Sequence, residues 1–288
     1  INGNEYTDSN AITSLLKEKP KEISDKYSNY IIKTLDNSNL FEDVQVTIQE
    51  NKYIISIKEY PNLKKIFYKN NERIKDEEFN LIVEEIELTN LNPFFIELFI
   101  NQVQNIYESF GYNNIKIDFY ETIDSISNTA ELTFKFDEGS ITKINSINFN
   151  GNNKFDSETL RSIIKSKTKS IKNIFANNNY KKYIVENDTS IISNFYKNNG
   201  YIDIQVNFNI EYLSNNKVNI YFNINEGEIY FFDKITFIDN NNLLDELIIE
   251  EINKILSESI FENNIFSIEK INQLRKQITD YILDNNIS

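Results

Sequence analysis

Six glycines in 288 residues fall into three matched pairs, and the matching exposes an internal repeat. Gly3 and Gly151 each sit in Asn-Gly-Asn. Gly111 and Gly200 each open Gly-Tyr, between a helical apolar pattern and an alternating one. Gly139 and Gly227 each follow a glutamate, Glu138 or Glu226, at the end of a second alternating run. Gly111 and Gly200 are 89 residues apart, and Gly139 and Gly227 are 88 apart. Glycine is retained where the backbone must take positive φ, so a chain this poor in glycine marks its own turns. A repeat of this length implies small units in series, each with a marginal core of its own.

The third repeat is the clearest. An apolar run from Ile144 ends in Asn150-Gly151-Asn152, and Asp156-Ser157 offers a cap for a helix carrying Leu160, Ile163 and Ile164. A longer helix around Tyr183–Asn199 carries Ile184, Ile191, Ile192 and Phe195, and Gly200 supplies its C-terminal turn. Two alternating runs come next: Ile202, Ile204, Val206, Phe208, Ile210, then Val218, Ile220, Phe222, Ile224. Such alternation means one buried face and one wet face. The order is β-α-α-β-β.

The second repeat matches it, from Ile66 and Tyr68 through a helix begun at Asn92-Pro93 to paired strands around Ile117 and Phe134. In the first repeat Asn39 takes the place of the helix-end glycine, and a turn at Glu50-Asn51 joins two alternating strands. The fourth begins with Ile235, Phe237 and Asp239 in the strand-and-turn positions, and Asn286 falls opposite Gly200. The expected fold class is α+β: tandem modules, each with a three-stranded mixed sheet covered on one face by two helices. The expected boundaries are 1–60 (first strand truncated), 61–138, 139–227 and 228–288, the last lacking its two closing strands. Pro61, Gly139 and Gly227 mark the junctions, and Pro61 predicts a stiffer first junction. A fourth module without closing strands is expected to be poorly ordered or to lean on its neighbour.

Composition removes whole classes of chemistry. With no Cys and no His, thiol nucleophiles, disulfides, thiolate metal sites and a Ser/His/Asp triad are ruled out. No glycine-rich phosphate loop or EF-hand loop is present, so no catalytic, cofactor or metal residues are assigned. The net charge of −14 argues against a nucleic-acid partner. Carboxylate pairs such as Glu84-Glu85 read as solvated helix faces. No apolar run reaches the length of a membrane-spanning helix.

Several stretches together resemble polypeptide-transport-associated (POTRA) domains, which stand in series on the periplasmic side of outer-membrane β-barrel assembly proteins. They are Leu40–Val44, Glu59-Tyr60-Pro61, Ile147–Asn152, Phe195-Tyr196 with Gly200-Tyr201, and Asn225-Glu226-Gly227. The resemblance implies a non-enzymatic periplasmic scaffold. It implies as partners unfolded outer-membrane β-barrel proteins, accessory assembly lipoproteins and a membrane barrel on the same polypeptide. The arm of another POTRA–barrel transporter, for translocation assembly or two-partner secretion, is the alternative.

A sheet edge with free N–H and C=O groups can accept an extended peptide as an added strand. The least charged stretch is Ile202–Ile210, whose Ile202, Ile204, Val206, Phe208 and Ile210 form the candidate binding edge; Asp203 is its only charge. The family's usual edge falls on the same stretch. Gly3, Gly111, Gly151 and Gly200 are expected as structural turns and caps.

Overall fold

The structure is a computed structural model that describes residues 1–20, 22–169, 176–240, 244–259 and 264–284. Ile1–Ser140 and Ile141–Ser288 form two compact units.

In the first unit, α1 (Ser9–Leu15) and α2 (Asp25–Asp36) precede the antiparallel hairpin β1 (Phe41–Gln49) and β2 (Lys52–Glu59). Glu50 and Asn51 both take positive φ, 47° and 62°, which matches the hairpin twist. Asn2 pairs with β2 from the other side, donating to Ile55 O at 2.8 Å and accepting from Ile57 N at 3.0 Å. Ile12, Ile31 and Leu35 from the helices bury against Val44, Ile55 and Ile57.

The second repeat continues as β3 (Asn62–Lys69), α3 (Asp76–Glu85), α4 (Pro93–Phe110), β4 (Lys116–Asp124) and β5 (Thr129–Asp137). Sheet order is β3-β5-β4, with β3 parallel and β4 antiparallel to β5. Helix α4 is punctuated as its residues require. Asn92 caps it by accepting from Phe94 N, Pro93 occupies the first turn, and Gly111 ends it at φ 100°. Phe79, Phe99, Tyr107, Leu132 and Phe134 are fully buried between helices and sheet.

The second unit repeats the plan with β6 (Lys143–Asn150), α5 (Ser157–Ile163), α6 (Lys182–Asn198), β7 (Gln205–Leu213) and β8 (Lys217–Asn225). Its sheet order is β6-β8-β7, again one parallel and one antiparallel pairing. Asp156 caps α5, and the fully buried Asp188 accepts from Lys165 N and Ser166 N where α5 ends. An α+β fold with three-stranded mixed sheets is therefore present in both units.

Two helices, α7 (Glu246–Glu258) and α8 (Ile268–Asp284), complete the second unit. Among the described residues no strand forms around Ile235 and Phe237; the segment's β contact is a single bridge from Phe231 to Ile265. A strand needs a ladder partner, and β5 and β8, which serve β3 and β6, have no counterpart among the described residues of this segment. Asp239 is not left-handed either, and its carboxylate instead accepts from Leu244 N at 2.8 Å. Asn286 lies outside the described residues.

Gly3 and Gly151 are set by contact as much as by φ. A Cβ on either would lie 2.1 Å from a backbone carbonyl oxygen, Ile57 O or Ile224 O. The turn is pressed onto the last strand of its own repeat at the same point in both.

A carboxylate in that last strand or just after it gathers the repeat together. Glu226 Oε1 accepts from the Tyr196 hydroxyl at 2.9 Å and from Lys154 N at 2.8 Å. Glu138 Oε1 accepts from the Tyr107 hydroxyl at 2.6 Å and from Arg73 N at 2.9 Å. In the first repeat Glu59 Oε2 accepts from Tyr6 N at 2.9 Å, but Leu35 stands at the tyrosine's place, four residues before the helix-end turn. Glu59 Oε1 is buried with no hydrogen-bond partner among the described residues.

Candidate functional site

Strand β7 lies at one edge of its sheet, paired on one side by β8 in a register from Gln205↔Asn225 to Leu213↔Lys217. Val206, Phe208 and Ile210 turn inward and pack against the core below α6, while Gln205, Asn207, Asn209 and Glu211 face solvent. Glu211 is the strand's one charged residue. Asn219 Nδ2 and the Tyr221 hydroxyl each donate to its Oε2 at 2.8 Å, and these bonds hold its carboxyl below the usual range. Around it the open sheet face is a lattice of amides: Asn145 and Ser146 donate to Asn219, and Asn150 donates to Asn223. The edge of β7 toward solvent carries no second strand among the described residues.

Ile202 and Ile204 lie outside that strand, which begins at Gln205. Gly200, at φ 93°, turns the chain off α6, and Tyr201 N closes on Tyr196 O at 3.0 Å. Tyr201 and Ile204 then bury into the core from a turn. Asp203 is engaged by the next segment, accepting from the Tyr230 hydroxyl at 2.7 Å. The apolar alternation thus runs three residues ahead of the ladder.

Gly200 is more than a helix cap. A Cβ there would meet Ile229 Cγ1 and Ile265 Cγ2 at 2.9 Å, and Gly200 O accepts from Tyr230 N at 2.8 Å. Asn39, its first-repeat counterpart at φ 59°, is used alike. Asn39 O accepts from Asn90 Nδ2 at 3.0 Å and from Asn92 Nδ2 at 3.4 Å. The carbonyl at the end of the long helix is the point onto which the next segment docks. Gly111, Gly139 and Gly227 also take positive φ, and Pro61 O accepts from Leu91 N at 3.0 Å.

Sequence reasoning missed the tyrosine–glutamate ties. The signal was present: Tyr107 and Tyr196 both stand four residues before the helix-end glycine, and Glu138 and Glu226 both stand one before the junction glycine. Among the described residues no cluster of acidic side chains could hold a metal ion, and no helix is long and apolar enough to cross a membrane.

Residues 142–227 match the family model described as POTRA, surface antigen variable number repeat. That segment is similar to POTRA domains. Strand β7 is the second of that segment's three strands along the chain, and by pairing it is an edge of their sheet. The chain is also 22% identical over 193 residues to the outer membrane protein assembly factor BamA of Neorickettsia risticii (strain Illinois), covering 62% of this chain. It spans about a quarter of that relative's length (24%). Similar solved structures include POTRA domains 3–5 of Haemophilus influenzae BamA, at 15% identity and TM-score 0.40, covering 78% of this chain and 93% of that one. The N-terminal domain of Omp85 from the cyanobacterium Thermosynechococcus elongatus matches at 15% identity and TM-score 0.36, covering 76% and 91%.

Proposed function

We propose that this chain is the periplasmic POTRA arm of an outer-membrane β-barrel assembly protein, with modules at 1–60, 61–138, 139–227 and 228–288. It works as a non-enzymatic scaffold that receives unfolded outer-membrane proteins, docks accessory lipoproteins and hands its cargo to a membrane barrel on the same polypeptide. The receiving edge is β7, where an incoming segment adds as a strand and bonds through its main chain.

The observation that carries this reading is the POTRA match at 142–227 together with the open edge of β7, whose one charge is already hydrogen-bonded. Natural edges are usually guarded by charge against adventitious pairing, and β7 has little of that protection. The test is photo-crosslinking of an extended peptide from an outer-membrane protein to β7, with proline placed at Val206 and, separately, at Asn207. Of two neighbouring residues in an antiparallel strand, one N–H faces the partner strand and the other faces out. Crosslinking is expected to disappear with the outward proline while the far-ultraviolet dichroism stays native. Undiminished crosslinking in both folded variants defeats strand addition at β7. Val206→Lys tests the inward apolar face separately.

A further inference from the structure

Three of the six glycines follow an asparagine: Asn2-Gly3, Asn150-Gly151 and Asn199-Gly200. The side-chain carbon of an asparagine is open to attack by the backbone nitrogen of the next residue, and glycine, without a Cβ, hinders that approach least. The attack needs an untethered amide, a glycine N–H that is not engaged, and a backbone free to rotate between them. The fold treats the three steps differently.

Asn150 is tethered. Its Nδ2 donates to Asn223 Oδ1 at 3.0 Å, and its backbone is the last rung of the β6–β8 ladder. Gly151 O accepts from Asn153 N at 3.1 Å and from Asn153 Nδ2 at 3.2 Å, so the turn beyond is fixed as well. Asn199 is tethered too. Its Nδ2 donates to Phe195 O at 2.8 Å, and Gly200 N donates to Lys197 O at 3.4 Å. Gly200 is itself buried, with Ile229 and Ile265 against it.

Asn2 has none of these side-chain restraints. Asn2 and Gly3 are both exposed, and among the described residues neither the Asn2 side-chain amide nor Gly3 N makes a hydrogen bond. What holds Asn2 is an isolated bridge of two main-chain bonds, one to Ile55 O and one from Ile57 N. Local opening costs least where so few contacts hold a segment.

We propose that Asn2-Gly3 is a self-modification site that loosens the first repeat in one direction only. With the bridge open, Gly3 N attacks Asn2 Cγ. A C–N bond forms, the Cγ–Nδ2 bond breaks, and the glycine proton leaves with the amide group as ammonia. Water then opens the cyclic imide at either of its two carbonyls. Attack at Cγ leaves aspartate, and attack at the main-chain carbonyl leaves isoaspartate, whose main chain runs through Cγ. Water enters and ammonia departs, with no change of oxidation state. Isoaspartate inserts a methylene before the carbonyl that accepted from Ile57 N, and Gly3 fits its place only by lying against Ile57 O. The bridge therefore does not re-form. The β1–β2 hairpin stays, while the outer edge of β2 at Ile55 and Ile57 is uncovered. This inference concerns the first repeat and does not rest on strand addition at β7.

The test incubates the full chain at mildly alkaline pH, which favours loss of the glycine proton. Peptide mass spectrometry and isoaspartyl methyltransferase labelling then follow the three sites. Conversion at position 2 is expected to be at least about tenfold faster than at Asn150 or Asn199. In urea the three steps are expected to convert at comparable rates, because the fold and not the local sequence sets the order. Asn2→Gln, whose longer side chain closes the ring poorly, is expected to abolish the product at position 2, and Asn150→Gln to leave it unchanged. The modified fraction carries an added negative charge and separates by anion exchange. In that fraction the Ile57 amide is expected to exchange at least about tenfold faster than in the unmodified chain, while amides of β8 keep their protection. Equal rates at the three sites in the folded chain, faster conversion at Asn150, or equal protection of Ile57 in the two fractions overturns the inference.

Discussion

The Tyr196 hydroxyl donates to Glu226 Oε1 at 2.9 Å, and that bond ties the end of the long helix α6 to the residue that follows β8, the central strand of its sheet. The same oxygen takes Lys154 N from the turn after β6, so one carboxylate joins three parts of the repeat. Tyr107 and Glu138 do the same in the second repeat. A buried tie of this kind does its work by being complete: hydrogen bonds to a carboxylate are among the stronger ones, and a missing donor leaves a costly oxygen behind.

Tyr196→Phe is accordingly expected to destabilise the second unit by roughly 1.5–3 kcal/mol, since it removes a donor to a charged acceptor and keeps the ring. Urea denaturation followed by dichroism measures it. A loss within about 0.5 kcal/mol, the range of ordinary surface changes, shows that the bond adds nothing.

The first repeat makes the opposite forecast. Glu59 lacks the tyrosine donor, so turning its carboxylate into an amide takes away no such bond and relieves a buried charge. Glu59→Gln is expected to be within about 0.5 kcal/mol of neutral, whereas Glu226→Gln costs about 1–2 kcal/mol. Matched chemical denaturation of the two variants decides it, and equal losses would remove the distinction between the repeats.

Alkaline pH acts on the same ties. Burial first, and then the bonds to Glu138 and Glu226, push the Tyr107 and Tyr196 hydroxyls well above their ordinary value of 10.0. Burial pushes Tyr68 up as well. A hydroxyl whose pKa is raised by folding contributes stability that is fully present below the unfolded value and is lost as pH climbs toward the folded one. Stability is therefore expected to hold up to about pH 10 and to fall above it. A spectrophotometric titration at alkaline pH should show these phenols ionising only as the chain unfolds. Smooth ionisation of all 17 tyrosines in the folded protein contradicts this.

Gly151→Ala tests the close approach of the post-strand turn. The new Cβ would sit 2.1 Å from Ile224 O at φ 83°, so the turn or β8 must move. A cost on the order of 3 kcal/mol is expected, against about 1–2 kcal/mol for Gly111→Ala, where the left-handed helix end is the source of strain. Thermal denaturation of both variants ranks them, and a larger effect at Gly111 would reverse the assignment.

Much of this was legible because short-range chemistry decides it. Asn92, Pro93 and Gly111 bound α4 where their caps require, and Asn215 and Asn216 take the two positive φ values of a tight hairpin. The start of β7 was not legible. Ile202 and Ile204 continue the strand's alternation, yet Ile204 reaches the core from a turn held by Gly200 and Tyr230. Ile235 and Phe237 likewise look like a strand, but a ladder depends on a partner that local pattern does not reveal.

Helices without a sheet to cover bury little, and the last segment is the case in point. Helix α7 buries Ile252 and Leu256, and none of the described residues of α8 is buried. Helix α6, by contrast, buries Val185, Asp188, Ile192 and Tyr196. The segment is held by its contact with the preceding repeat: Tyr230 N donates to Gly200 O, and Asn198 Oδ1 accepts from Glu269 N at 3.0 Å. Local opening is least costly where few apolar contacts must be broken. Amides of α7 and α8 are therefore expected to exchange at least about tenfold faster than those of α6 in native-state hydrogen exchange. Gly200→Val is expected to widen that gap, because its side chain enters the space held by Ile229 and Ile265. Protection in α8 equal to that in α6 would mean that the segment has a core of its own.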